Sequence, residues 1–159
     1  MSDILVPNVK IVQEATRRAF AGKLKDSQID EFLKSVTSPE VGVPAPIKAK
    51  GSVYFGLVYG IVSCEPLDER YKSYKFDESA WGIGAVAGSG AGVMYTAYDN
   101  WDAFFKLTTA CHAQGVAEGG GILQINWFNA SGTPIGQFNG VVGGIGAFEC
   151  GGSAKWKKQ

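Results

Sequence analysis

Hydrophobic and polar positions change period once along this chain, near residue 50. Before that point Val9, Val12, Ala15, Ala19 and Phe20 recur at three- and four-residue spacing, the stripe of an amphipathic helix. Asn8, behind Pro7, offers a side-chain oxygen to the first free amides, and Gly22 supplies a left-handed stop, so a helix over residues 9–21 is predicted. Ile29, Phe32, Leu33 and Val36 form a second stripe. It opens on Ser27 with Asp30 and Glu31, which predicts a helix over residues 27–36. Pro39, Gly42, Pro44 and Pro46 then remove donors and restrict their predecessors, so residues 37–48 read as an extended connector. The two helices are short for a core of their own and are expected to dock on the sheet or on a partner.

From Lys50 the period is two. Val53, Phe55, Leu57, Tyr59 and Ile61 are placed on one face, with Tyr54, Gly56, Val58, Gly60 and Val62 on the other. Trp81, Ile83, Ala85 and Ala87 alternate with Gly82, Gly84 and Val86, and Gly88, Gly90 and Gly92 continue the row of small residues, which suits close backbone approach or a bend. Further strands are predicted over residues 104–116, 122–128, 133–142 and 145–156. Asn129-Ala130-Ser131-Gly132 reads as a hairpin connection, and Asp99-Asn100-Trp101-Asp102 as a helical turn or tight loop with Asp99 as cap. Seven or eight antiparallel strands in this span point to a barrel or a sandwich, and closure would remove the exposed edges of so apolar a sheet. The expected organisation is one structural domain of the all-β class. Residues 1–48 form a helical N-terminal extension with its proline-rich connector, and residues 49–159 a glycine-rich antiparallel β-barrel.

Composition sharpens the division between the two parts. Of the 22 glycines, 17 follow Trp81, interleaved with β-branched and aromatic residues rather than with serine as in a flexible linker. Lysine plus arginine and aspartate plus glutamate each total 15, so no net field draws the protein to nucleic acid. Residues 1–7 carry neither a basic n-region nor an apolar run of spanning length, which leads to the expectation of a soluble, cytoplasmic chain with no integral membrane segment. Cys64, Cys111 and Cys150 are odd in number and widely spaced, which fits buried free thiols better than a disulfide framework or a zinc site.

No catalytic constellation emerges. His112, the single histidine, adjoins Cys111, but neighbours on a strand face opposite ways. Gly82-Ile83-Gly84-Ala85-Val86-Ala87 loosely matches a dinucleotide fingerprint but continues as Gly88-Ser89-Gly90 rather than as a helix, so it lacks a pyrophosphate site. Asp99 and Asp102 lack the remaining ligands of a calcium loop, and Glu65, Asp68, Glu69, Asp77 and Glu78 sit among Arg70, Lys72 and Lys75 as a solvated loop would. Neither metal nor cofactor is expected. Tyr95, Tyr98, Trp101, Trp127, Phe128 and Trp156 could line a carbohydrate or small-ligand site or fill the core.

Several features, taken in order, resemble the virulence-associated (Vap) protein family of Rhodococcus. They are Gly90-Ala91-Gly92, Asp99-Asn100-Trp101-Asp102, Ile125-Asn126-Trp127-Phe128-Asn129-Ala130-Ser131-Gly132, Gly136-Gln137-Phe138 and Gly151-Gly152-Ser153-Ala154-Lys155-Trp156. The resemblance implies a compact eight-stranded antiparallel barrel with no recognised active site, in secreted factors that affect host phagosomal and endolysosomal membranes. The three cysteines, the helical N-terminal region and the absence of a signal peptide depart from it; export by another route would reconcile that absence with a secreted protein.

Three functions follow as alternatives. The leading one is a non-catalytic, Vap-like barrel acting on a membrane or protein target, with Val9, Val12, Phe20, Ile29, Phe32 and Leu33 as contact residues unless they pack on the barrel. The second is a lectin-like or small-ligand-binding barrel using Trp101, Asn126, Trp127 and Asn129. The third is an enzyme built on one of the three thiols, which requires a reactive, accessible cysteine.

Overall fold

The computed structural model describes residues 7–37 and 44–159. Residues 1–6 and 38–43, which hold the chain start and most of the predicted connector, lie outside the described residues. Helix α1 spans Val9–Phe20, and Asn8 caps it by accepting from the Lys10 and Ile11 amides at 2.9 and 3.3 Å. It ends where the Ala21 amide donates to Arg17 and Gly22 turns left-handed at φ 77°. Helix α2 spans Asp26–Thr37, with the Lys25 amide held by the Gln28 side chain at 2.9 Å. Both helices thus form where the stripes place them, but α2 starts at Asp26, so Ser27 lies inside it rather than opening it.

The rest is one antiparallel sheet of seven strands: β1 (Ile47–Pro66), β2 (Tyr74–Thr96), β3 (Ala110–Val116), β4 (Ile122–Phe128), β5 (Pro134–Val141), β6 (Phe148–Ser153) and β7 (Trp156–Lys158). A seven-residue helix, α3 (Trp101–Leu107), joins β2 to β3. The strand order is β1-β2-β5-β4-β3-β6, and β2 also pairs with β6 and β7, so the path from β2 through β5, β4, β3 and β6 returns to β2 in a ring. β1 runs beside nearly the whole of β2 and then doubles back, for the Leu67 amide donates to the Lys48 carbonyl at 2.8 Å.

Three expectations need correction. Alternation in β1 does not hold to Ile61: the register slips between Leu57 and Tyr59, so Ile47, Ala49, Val53 and Phe55 face inward, but beyond the slip Val62 and Cys64 do. Residues 104–107 are helical rather than the start of a strand; the cap is Asn100, which accepts from the Ala103 amide at 2.7 Å, while Asp99 accepts from the Asn100 side chain. The last predicted strand is two, β6 and β7, so the sheet reaches seven strands, within the seven or eight expected, with β1 and β2 each running longer than predicted.

The main core lies on the inner face of the ring. Phe76, Phe104, Trp127 and Trp156 pack there with ring centroids 5.3–5.7 Å apart, and α3 adds Trp101 and Phe105. No residue of α1 or α2 belongs to this core. Their apolar faces form two separate small clusters on the outer face of the sheet.

Candidate functional site

At the bend of β1 the chain turns its apolar residues outward. Leu57 takes a left-handed φ of 61°, opposite Gly84 on β2 at φ 136°. A leucine in that region is strained by about 1–2 kcal/mol. The bend also requires Gly60, where any side chain would run into the Tyr54 carbonyl and the Phe55 Cα. Because the register slips here, Leu57, Val58 and Tyr59 are all exposed, at 75, 57 and 43%. Ile61, Tyr54 and, across the ribbon, Trp81 and Ile83 extend the patch. Tyr59 and Trp81 are register partners whose rings meet edge-on at 4.8 Å, and the Tyr59 hydroxyl donates to Ser79 at 2.8 Å. The result is an exposed apolar ridge carrying two amphipathic rings.

Most of the contact residues assigned to the helices lie elsewhere. Val12, Phe20, Ile29, Phe32 and Leu33 are buried, and among the six Val9 alone is exposed. Phe20 meets Phe128 of β4 at 5.5 Å and Phe32 of its own helical pair at 5.8 Å. In this arrangement the stripes pack on the sheet, the alternative that the sequence reading left open.

Beneath α1 the outer sheet face is built of amides. Gln124 donates to Asn139 (3.0 Å), Asn139 to Gln137 (2.8 Å), Gln137 to Asn126 (2.7 Å) and Asn126 back to Gln124 (3.1 Å), a closed ring of four side chains. Asn126 is therefore buried within this ring. Trp101 and Trp127, buried in the aromatic core, offer no open ring face. Asn129 builds the β4–β5 turn, accepting from the Ser131 and Thr133 amides and donating to the Tyr98 hydroxyl. The four residues of the lectin-like reading thus lie in three different environments.

The remaining chemistry is subdued. Burial raises all three thiols, Cys64 well above the usual range, Cys111 to about 12 and Cys150 to about 11. His112 contacts Glu149 at 2.7 Å, not a cysteine, and burial holds the imidazole below its ordinary pKa despite that carboxylate. The Glu149 carboxyl is lowered in turn, first by the His112 hydrogen bond, with Lys23 at 3.9 Å adding to it. Asp68 is held low by its hydrogen bonds to Arg70, and Glu69 pairs with Lys72, as exposed loop charges do. Gly82, Gly84 and Gly88 lie within β2, which continues as strand directly after them to Thr96, and no cluster of three potential metal ligands occurs among the described residues.

The ridge escaped the sequence reading because strict alternation placed Leu57, Tyr59 and Ile61 together with Val53 and Phe55. The signal that could have found it is Gly56-Leu57-Val58-Tyr59-Gly60, whose flanking glycines permit a bend that alternation would not survive.

Comparison with known proteins follows the same lines. A family model described as Rhodococcus equi virulence-associated protein matches residues 7–157. The chain is similar in structure to the virulence-associated protein VapB of that intracellular pathogen, with 22% identity and a TM-score of 0.60 over 72% of this chain and 98% of the other. It is likewise similar to VapD of the same organism, with 22% identity and a TM-score of 0.61 over 71% and 97%. No curated protein sequence matches it.

Proposed function

The chain belongs to the Rhodococcus equi virulence-associated protein family, and from that premise we propose that it is a non-catalytic factor acting on a lipid surface, which it meets with the ridge at the bend of β1. The observation that carries this reading is the contiguous exposure of Leu57, Val58, Tyr59, Trp81 and Ile83. Exposed apolar patches with polar surroundings mark sites of protein or membrane contact. Tyrosine and tryptophan rings settle at the headgroup level of a bilayer, and the paired rings of Tyr59 and Trp81 favour a lipid interface on that ground. No helix among the described residues is long and apolar enough to cross a membrane, so the reading is of shallow contact. It takes the sheet as the family's eight-stranded barrel, with β1 and β2 counted as two limbs each and β6 and β7 as one. Non-catalytic action is supported by thiols that burial holds protonated.

The test is co-sedimentation and dye release with neutral and anionic vesicles at neutral and acidic pH. The intact chain is expected to bind, and the Leu57→Asp/Ile83→Asp double variant, with unchanged far-UV circular dichroism, to lose at least about tenfold in affinity, since each buried aliphatic side chain contributes about 1.5–3 kcal/mol. Absence of binding by the intact chain in every condition would move the target to a protein. Equal binding by the variant would remove the ridge from the contact.

A further inference from the structure

We infer that α1 and α2 form a cap that opens from the sheet as one unit while the sheet stays folded. The sheet's core is complete without the helices, since the inner cluster contains no residue of either. The outer face they cover needs no partner for its own polarity: in the ring of Gln124, Asn139, Gln137 and Asn126 each amide donates to the next and accepts from the one before. The helix adds only the spare N–H groups. Gln124 and Gln137 donate to the Thr16 hydroxyl at 3.1 and 2.9 Å, Gln124 also reaches the Val12 carbonyl at 3.5 Å, and Gln114 donates to the Ala15 carbonyl at 2.9 Å. Water can replace all four when the face is bared, so opening strands no buried polar group.

The helices, for their part, hold each other. Phe20 packs on Phe32, and Arg17 bridges to Asp30 at 2.7 Å. Those contacts survive if the pair moves together. Against the sheet the pair sets Phe20 on Phe128, Ala15 near Val116 and Ile122, and Lys23 at 3.9 Å from Glu149. Opening therefore exposes two limited apolar clusters rather than a core, and it sets free the stripe of Val12, Ala15, Ala19 and Phe20. Segments whose cohesion is internal and whose docking is partly polar are the ones that open sub-globally.

Native-state hydrogen exchange on the full chain decides the matter. The amides of Ala19, Phe20, Phe32 and Leu33 are expected to exchange through an opening at least tenfold more populated than that of Gln124 and Ile125 in β4, with a shallower denaturant slope because less surface is bared. Thr16→Val removes the acceptor of two amides and is expected to raise exchange in both helices on the order of tenfold, leaving β4 unchanged. Thr16→Ser, which keeps the hydroxyl, is expected to stay near wild type. One shared exchange free energy and slope for helices and strands overturns the inference, and the unmodified chain alone suffices for that result. So does a Thr16→Val variant that accelerates β4 as much as α1.

Discussion

Leu57 holds a backbone conformation that few residues other than glycine adopt readily, and its side chain is exposed, so little packing compensates the strain. Leu57→Gly trades about 1–2 kcal/mol of strain for about 0.5–1 kcal/mol of added chain entropy. The variant is expected to be more stable by about 0.5–1 kcal/mol in urea denaturation and weaker on vesicles, a combination that separates stability from contact. His112 gives a second prediction. Its folded pKa lies below the ordinary 6.5 because burial disfavours the charged ring. The unfolded chain therefore binds the proton more readily, and the stability His112 contributes is present above about pH 6.5 and is lost as pH falls from there through the folded value. The Glu149 carboxyl, also lowered, acts in the separate window below 4.5. Urea midpoints at pH 7.5 and 5.5 should fall for the wild type and fall less for His112→Gln. Of these two residues, His112 was legible as a histidine turned away from the adjacent Cys111, because side-chain alternation is local, while a pairing across the sheet was decided only by the structure. The Leu57 backbone was not, since its conformation follows from closure between distant strands.

At the scale of elements, the bend of β1 rests on one glycine and not on its neighbour. Gly60→Ala forces a methyl group into the backbone of residues 54–55, whereas Gly56 has open space around it. The first change is expected to cost about 1–3 kcal/mol, as overpacking does, and Gly56→Ala to stay within about 0.5 kcal/mol; urea denaturation of both checks the contrast. The helices were legible to within a residue or two because their caps, Asn8 and Gly22, act within one turn. The second half of helix α3 was missed because Phe104 and Phe105 are bulky aromatics that a strand accepts equally well, and only their packing on Trp127 and Trp156 decides between the two. The slip in β1 was missed for a different reason. An alternating pattern carries no mark of where its phase inverts.

For the molecule as a whole, the inner core holds Cys64, Cys111 and Cys150 protonated and out of reach. In the native state at pH 7.5 all three are expected to resist alkylation, and in denaturant all three should react at once; rapid native labelling of any one would revive a thiol enzyme. The mostly β, antiparallel character and the family were legible from alternation and ordered short motifs, whereas the full lengths of β1 and β2 were not, because both run well beyond the alternating stretches. The ring of amides beneath α1 has one further consequence. Its hydrogen bonds circulate in one sense, and reversing that sense would require all four amides to flip together, and with them Gln114, which donates to the Gln124 oxygen at 2.8 Å. A reversed ring would turn carbonyl oxygens toward Thr16, whose own hydroxyl proton is already given to Val12 at 2.8 Å. The docked helix thus adds its own preference to the direction of the ring, so side-chain orientation beneath the cap is coupled to its seating.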